Sequence, residues 1–302
     1  MIVHSYLRAI GFSEVIDRVE LERLLGIIID QPTEKKIYNM PNNKIFTEIT
    51  KKFSKQMGIT LRGEIDSEGK FYMEHYFPFF KSQYISTKEE ISIIKRVDTE
   101  AYTGMCDDIR LGVSLIFYLQ NVVNYLMEGK NKNLTERPMP IYLAALSISG
   151  KVILPMEFDE KLAKNNSADV QYRRQLIAEA KKGNQEAIDS LTIDDIDMYA
   201  MISRRAKVED IYTIVETSFT PYGSESDNYT VLGTIVDMDV LTNEYTAEEV
   251  YNLMISSNDV IFQVAINKKD LLGEPAIGRR FKGNIWLQGY IDFNSDNCLN
   301  IG

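Results

Sequence analysis

Leu21, Leu24, Leu25 and Ile28 fall at i, i+3, i+4 and i+7, the spacing that lines one face of an α-helix. Asp17 and Glu20 ahead of them form a capping box, and Pro32, which has no backbone donor and restricts its predecessor, ends the helix near Asp30. Ile45, Ile49, Phe53 and Met57 recur every fourth residue and predict a second helix over 43–57, terminated by Gly58. The pattern then turns to strands. Ile59 to Ile65 and Phe71 to Phe80 flank Asp66 to Lys70, where Gly69 supplies an easy positive φ, and together they predict a β-hairpin. Runs rich in β-branched and aromatic residues over 91–97, 112–120 and 141–154 predict further strands, the last with a turn at Ser149 and Gly150.

Residues 159–207 are charged and helical in period, with Tyr172, Leu176 and Ala180 on one face, a break at Gly183 and Asn184, and a fresh capping box at Thr192 and Asp195. Two or three short helices are expected there. Beyond residue 211 the period drops to two. Leu232, Val236, Met238 and Val240 share a face with Thr230 and Thr234, Asp237 and Asp239 point the other way, and Gly233 marks a bend or bulge inside the strand 229–241. Strands over 250–255 and 260–266, a short helical turn at 268–272 and a closing strand over 284–293 follow, while Thr246 and Glu249 leave a capped helix open as the alternative for 250–255. The fold class is therefore α+β, in three parts: an α+β domain over 1–156, a helical connecting segment over 157–210, and a β-rich, barrel-like domain over 211–302 in the manner of an OB-fold.

Composition places this pattern in an ordinary globular protein, with 302 residues, 44% of them hydrophobic and 26% charged. The N-terminal residues carry His4 and Arg8 inside their apolar stretch and lack the form of a secretion leader. The longest apolar run, Leu111 to Leu119, is about half the roughly 18 to 20 residues that cross a bilayer, and it reads as a buried strand. Cys106 and Cys298 are far apart with no paired spacing, which fits free thiols in the cytoplasm. The net charge of −10 opposes attraction to nucleic acid or anionic membrane. Much of it comes from residues 212–302, where thirteen acidic residues face five basic ones.

Those five basic residues fall in one window. Lys268, Lys269, Arg279, Arg280 and Lys282 supply cations, Phe281 and the only tryptophan, Trp286, supply flat surfaces, and Gly273, Gly278, Gly283 and Gly289 permit close backbone approach. These seven side chains form the candidate ligand- or partner-binding set, suited to a small anion, a nucleotide or a partner's carboxylate. The competing structural role is a clamp, with the arginines paired to surrounding acids and Trp286 filling a domain junction.

Other chemistry is thinner. Gly63 to Lys70 has five residues between its glycines where a phosphate loop needs four, and Phe71 where a hydroxyl should stand, so it reads as the hairpin turn. His4 and His75, the only histidines, lack partners at the spacing of a metal site or a nucleophile pair. His75 reads as a packed strand residue and His4 as a group that caps or lines a cleft. Among the acidic clusters, Asp237 and Asp239 are best placed to hold a hard cation, although a solvated strand face explains them as well. No catalytic residue, metal ligand or cofactor is assigned.

Two blocks, His4 to Ser13 and Gly273 to Gly289, together with the segment Ile214 to Asn228, resemble a family of domain-of-unknown-function proteins of about this length from anaerobic Gram-positive bacteria. The resemblance spans nearly the whole chain and implies no activity, cofactor or catalytic residue. The leading expectation is a non-catalytic cytoplasmic protein that binds a protein partner or a small anionic ligand through the Gly, Arg and Trp patch, away from membranes. The alternatives are an OB-like binder of nucleic acid or nucleotides, disfavoured by the acidic balance, and an enzyme with a divalent ion held by carboxylates from distant segments.

Overall fold

The computed structural model describes residues 2–40, 44–97, 101–108, 110–111, 113–128, 138–155, 172, 175–176, 179–180, 183–205, 212 and 215–293. A short 3-10 helix, Ser5–Ile10, opens the chain and is followed by α1 (Arg18–Asp30). Then come β1 (Glu34–Asn39), β2 (Ile45–Lys52), β3 (Met57–Ile65), β4 (Phe71–Phe80), β5 (Thr87–Glu89), β6 (Ser92–Lys95), β7 (Tyr102–Asp108), β8 (Val113–Leu119), α2 (Val122–Glu128) and β9 (Met139–Ile153). After α3 (Gln185–Arg205) follow β10 (Ser218–Pro221), β11 (Asn228–Thr242), β12 (Glu249–Ser257), β13 (Val260–Asn267), β14 (Leu271–Leu272) and β15 (Arg280–Ile291). The protein is thus α+β. Among the described residues no helix is long and apolar enough to cross a membrane.

α1 follows its sequence signature: Asp17 accepts the Glu20 amide at 2.9 Å, the Glu20 carboxylate reaches back to the Ile16 amide at 3.0 Å, and Leu21, Leu24, Leu25 and Ile28 are buried. The expected helix over 43–57 is instead β2 and the start of β3. A spacing of four is even, so Ile45, Ile49, Phe53 and Met57 fit a period of two as well as a helix, and β-branched Ile45, Thr47, Ile49 and Thr50 favour the strand. β3 and β4 form the expected hairpin, with Gly69 at φ 82°. β1 to β4 make one antiparallel sheet in chain order.

The second sheet is larger and draws on both halves of the chain. β11 pairs with β12, β12 with β13, β13 with β9, β9 with β15, and β15 again with β11, so the pairing returns to its start. β8, β7 and β6 extend it from β15. The strands of 211–302 therefore hydrogen-bond to β8 and β9 of the first half, and contacts divide the chain into Met1–Ile153 with Phe219–Gly302 as one unit and Leu154–Ser218 as the other. β9 runs straight through Ser149 and Gly150 where a turn was expected. The signal there was a bulge: Asn284 and Ile285 of β15 face Ser149 and Ser147, leaving Ile148 unpaired.

Alternation sets the layers. Ile141, Leu143 and Ala145 of β9 and Ile285, Leu287 and Ile291 of β15 face one core with Val231, Leu253, Phe262 and Phe281. Ala144, Leu146 and Trp286 face a second core built from the 3-10 helix, α1 and the apolar faces of β2 to β4. In β11 the inward residues are Tyr229, Val231 and Ile235, not the even set expected. A bulge between Ile235 and Asp237 then switches the parity, and Met238 packs inward. Gly233 does not carry that bulge; it lies where a Cβ would meet Ile255 at 2.5 Å. The strand reading of 250–255 holds, with Asn258 and Asp259 at positive φ in the β12–β13 turn.

In the other unit Gly183 adopts φ 83° and Asn184 caps α3 through the Glu186 amide at 3.0 Å. Thr192 does not start a helix; it lies inside α3 and bonds back to the Ile188 carbonyl at 2.8 Å. Tyr172, Leu176 and Ala180 are helical, as are Gln175 and Glu179, and the rest of 156–182 lies outside the described residues, as does Cys298.

Candidate functional site

Trp286 stands on β15 opposite Asn228, the first residue of β11. That register puts Asp227, just ahead of the strand, against the indole: Trp286 Nε1 donates to Asp227 Oδ2 at 3.0 Å, and the Leu287 amide to the Asp227 carbonyl at 2.9 Å. Asp227 is buried and also accepts from Arg96 Nη2. Arg96, from the segment after β6, spends its Nε on Thr103 Oγ1 at 3.0 Å and brings Nη1 to 3.9 Å from Glu225. One carboxylate thus fixes both the indole and the guanidinium.

The N-terminal block supplies the next wall. His4 caps the 3-10 helix by accepting the Tyr6 amide on Nδ1 at 3.4 Å, and its ring stacks on Trp286 with centroids 5.0 Å apart. Its own amide donates to Tyr76 Oη at 2.7 Å. Tyr6 lies 5.4 Å from the indole on a tilted plane. Burial lowers His4 to about 4 and, helped by Asp227 and Tyr222, raises Tyr6 to about 12. Gly11 ends the 3-10 helix at φ 87°, where a Cβ would press on Asn243 at 2.9 Å.

The back wall is polar and buried. Arg62 of β3 has no exposed surface; it donates to Glu48 at 2.8 Å, Tyr118 Oη at 2.9 Å, and the Leu119 and Gln120 carbonyls at 3.1 and 2.8 Å. Its guanidinium lies 4.5 Å from the centre of the Phe77 ring. A register shift at Arg62/Gly63 sets His75 opposite Arg62 and Met73 opposite Gly63, so Arg62 and His75 both reach Tyr118, with His75 Nε2 at 3.1 Å. Gly63 is required there, since a Cβ would lie 2.0 Å from the Tyr72 carbonyl oxygen. Burial, then Arg62, His4 and Arg96, hold His75 down at about 3. Burial pushes Tyr118 up to about 12 against the pull of Arg62.

Together these groups line a cleft of about 560 Å³, bounded by His4, Tyr6, Tyr76, Tyr118, Trp286 and Arg96 among others. Two further lining residues stand out. Arg62 only donates, so Tyr118 Oη accepts from it, and the same hydroxyl shares a hydrogen bond with His75 Nε2. The other ring nitrogen, His75 Nδ1, is buried without a partner among the described residues. Asn228 Oδ1 is a buried acceptor in the same condition. An unmet buried polar atom costs about 1–3 kcal/mol, and both belong to residues that line this cleft.

Of the seven residues picked from the sequence, only Trp286 lines this cleft. Lys268 pairs with Glu249 at 2.9 Å; Lys269 meets Glu248 at 3.2 Å and Ser13 at 3.0 Å, beside an ion pair from Arg8 to Asp270. Arg279 donates to the Glu274 carbonyl at 2.6 Å, Arg280 is buried, and Phe281 is fully buried in the first core. Lys282 shares a face of β15 with Trp286 but stands four residues away, about 13 Å along a strand. The cluster is contiguous in sequence and dispersed in space. Asp237 and Asp239 border a separate polar depression of about 110 Å³, where each accepts the next residue's amide. Among the described residues no group of three or more His, Cys, Asp or Glu side chains is poised to hold a metal.

Arg62, Arg96, Tyr118 and Asp227 were not singled out from the sequence. The available signal was the resemblance itself, because its three blocks each supply a wall: His4 and Tyr6, Glu225 to Asn228, and Trp286. No curated protein and no solved structure matches the chain. One family model does, over residues 7–289 of 302, and the chain belongs to that family, described as "Domain of unknown function, E. rectale Gene description (DUF3881)".

Proposed function

We propose that this is a non-catalytic binding protein and that the cleft around Trp286 takes a small uncharged molecule. The observation that carries the reading is the 560 Å³ concavity lined by Trp286, His4 and the rings of Tyr6, Tyr76 and Tyr118. That volume falls inside the range of about 300–1,000 Å³ typical of small-molecule sites. Its titratable groups support binding over proton transfer. A general acid or base works best with a pKa near the working pH, whereas His4 and His75 sit at about 4 and 3 and Tyr6 and Tyr118 at about 12. Cys106 is likewise buried and pushed up to about 12, far from a reactive thiolate.

Charge supports an uncharged ligand. Among the described residues that line the cleft Arg96 is the only lysine or arginine, and it already faces Asp227 and Glu225, so an incoming anion meets more negative than positive charge there. A track for nucleic acid gains nothing from Lys268 and Lys269, which are held by carboxylates, or from Phe281, which is buried. We also read the closed cycle of five strands as a small barrel, with β9 taking a place that the OB-like expectation gave to the last third alone. A cytoplasmic setting suits the free thiol.

The only tryptophan lies in the cleft, so the protein's tryptophan emission reports on that site. Titrating small neutral molecules of several classes should change the Trp286 emission and raise Tm with one of them. Silence in both signals across sugars, nucleosides, amino acids and quaternary amines at millimolar concentration overturns the reading.

A further inference from the structure

We propose that a second hollow, bounded by Lys36, Lys52 and Lys81, binds a phosphate group, either as the free anion or as the monoester of a larger molecule. Among the described residues it shares only Phe77 with the cleft around Trp286, and it does not rest on the reading given to that cleft.

The first sheet builds the hollow. Alternation puts Glu34 and Lys36 of β1, Thr50 and Lys52 of β2, and Thr60 of β3 on one face, and the register sets Glu34 opposite Thr50 and Thr50 opposite Thr60. The other face carries Ile49, Ile59 and Leu61 into the second core. Lys81 follows the end of β4, and Tyr290 of β15 supplies a further wall, its ring centre 4.2 Å from Lys81 Nζ. The hollow holds about 90 Å³, well short of the range of about 300–1,000 Å³ of small-molecule sites. It therefore admits an ionic group and leaves the rest of a larger ligand outside.

The charges here are not balanced within the protein. Glu48 is committed to Arg62 at 2.8 Å, and Glu34 lies 3.4 Å from Lys36, which also donates to Asn124 at 3.1 Å. Lys52 and Lys81 are both exposed, and among the described residues neither ammonium group has a carboxylate or a hydrogen-bond acceptor. Two positive charges are thus in surplus, in a chain whose net charge is −10. Lys268 and Lys269, by contrast, each meet a carboxylate. The lysines of the hollow also feel one another: burial first, then Lys52 and Lys36, lower the Lys81 pKa against the pull of Glu34. An anion between them relieves that repulsion.

The surplus selects the ligand's charge, and the residue type selects its shape. A phosphate monoester carries about −1.5 to −2 at neutral pH, which answers two uncompensated ammonium groups, whereas a carboxylate answers one. Planar carboxylates are best met by the fork of arginine, and no arginine is among the described residues that line the hollow. Lysine is a point charge with rotatable donors, suited to oxygens that point in several directions. Half-buried Thr50, at the wall, can accept from Thr60 at 2.8 Å and keep its own proton for the anion.

The test uses the full chain at fixed ionic strength in chloride, and titrates inorganic phosphate, glycerol 3-phosphate and acetate while heat and Tm are read. Heat and a raised Tm are expected with at least one of the two phosphates and not with acetate. Lys52→Met and Lys81→Met each keep an apolar stem and remove a charge. Each should weaken phosphate binding about tenfold or more with an unchanged circular dichroism spectrum. Lys35→Met, on the other face of β1, should leave it unchanged. Tighter binding of the free anion or of the monoester supports the assignment either way and says which source fits. Should one variant fail to fold, the other decides. No response beyond that to chloride, an equal response to acetate, or phosphate binding that survives intact in the folded variants overturns the proposal.

Discussion

The cationic stretch at 268–282 and the aromatic cleft share the chain that ends in β15, yet they treat their polar groups in opposite ways. In the stretch, Lys268 and Lys269 have carboxylates, Arg279 has a carbonyl, and the neighbouring Asp270 holds Arg8 of the N-terminal block. Beside the cleft, His75 Nδ1 and Asn228 Oδ1 are buried with no partner among the described residues. A high density of charge therefore marks a seam between the N-terminal block and the end of β13, whereas the concavity around Trp286 is where we propose that another molecule fits. The contrast warns against reading cations as a site merely because they are dense.

The contrast breaks first if Arg62 in the cleft's back wall is not held as described. Arg62 is buried with Glu48, which is itself only 5% exposed. Arg62→Met should cost about 3–5 kcal/mol, because the carboxylate is left buried and unpaired and Tyr118 loses a donor. Urea unfolding measures this, and adding Glu48→Leu should restore much of the loss. A small effect from the single substitution would mean that Arg62 is as replaceable as a surface cation.

The second probe is acid. His4 and His75 have folded-state values of about 4 and about 3, below the ordinary 6.5. The unfolded chain therefore takes up their protons first. Their contribution is intact above about 6.5 and is lost as pH falls toward the folded values. Much of that window lies above the carboxylate range of roughly 4. Tm should fall between about pH 6 and 5, and His75→Gln or His4→Asn, which keeps an acceptor for the Tyr6 amide, should each flatten the slope. A Tm that is level until the carboxylates titrate would show that neither ring is held neutral by burial.

These two probes concern residues of unequal visibility in the sequence. Asp17 with Glu20, the hairpin around Gly69 and the alternation in β12 and β13 were legible because each signal is local and admits one period. Ile45 to Met57 misled because a step of four belongs to both periods, and β9 misled because Ser149 and Gly150 serve a bulge as readily as a turn. The inward face of β11 was misassigned because the bulge at Val236 exchanges parity partway along. Half of the cleft was visible as parts: His4 as a cap or cleft wall, and Trp286 as the one tryptophan. Asp227, Arg96, Tyr118 and Arg62 were invisible as a set, since pairing of β15 with β11 and β8 in one sheet, and packing of β3 and β4 from the other sheet against it, bring those distant segments together. Nothing in their local spacing encodes it.

Asp227 sharpens the comparison at intermediate size. Its carboxylate accepts from both Arg96 and Trp286, so Asp227→Asn weakens two bonds without changing volume. A loss of about 1.5–3 kcal/mol in unfolding free energy is expected, with a red-shifted Trp286 emission as the indole loosens. An unchanged emission would separate the indole from the ion pair and leave the cleft with two independent walls.

The smallest effect belongs to the cations that looked most like a site. Lys268 and Glu249 are each about half exposed, and such pairs contribute little because water and salt screen them. Lys269 can leave without stranding its partner, since Glu248 keeps Ser13 Oγ at 2.5 Å and Asn267 at 2.6 Å. Burial pushes the Glu248 carboxyl up, and hydrogen bonds from Ser13, Asn267 and Lys269 together outweigh it, so two of its three side-chain donors stay when Lys269 is removed. The double change Lys268→Ala with Lys269→Ala should therefore leave Tm, Trp286 emission and ligand response unchanged. If instead it abolished ligand response while the fold stayed intact, the seam would be the functional surface and the cleft only packing behind it.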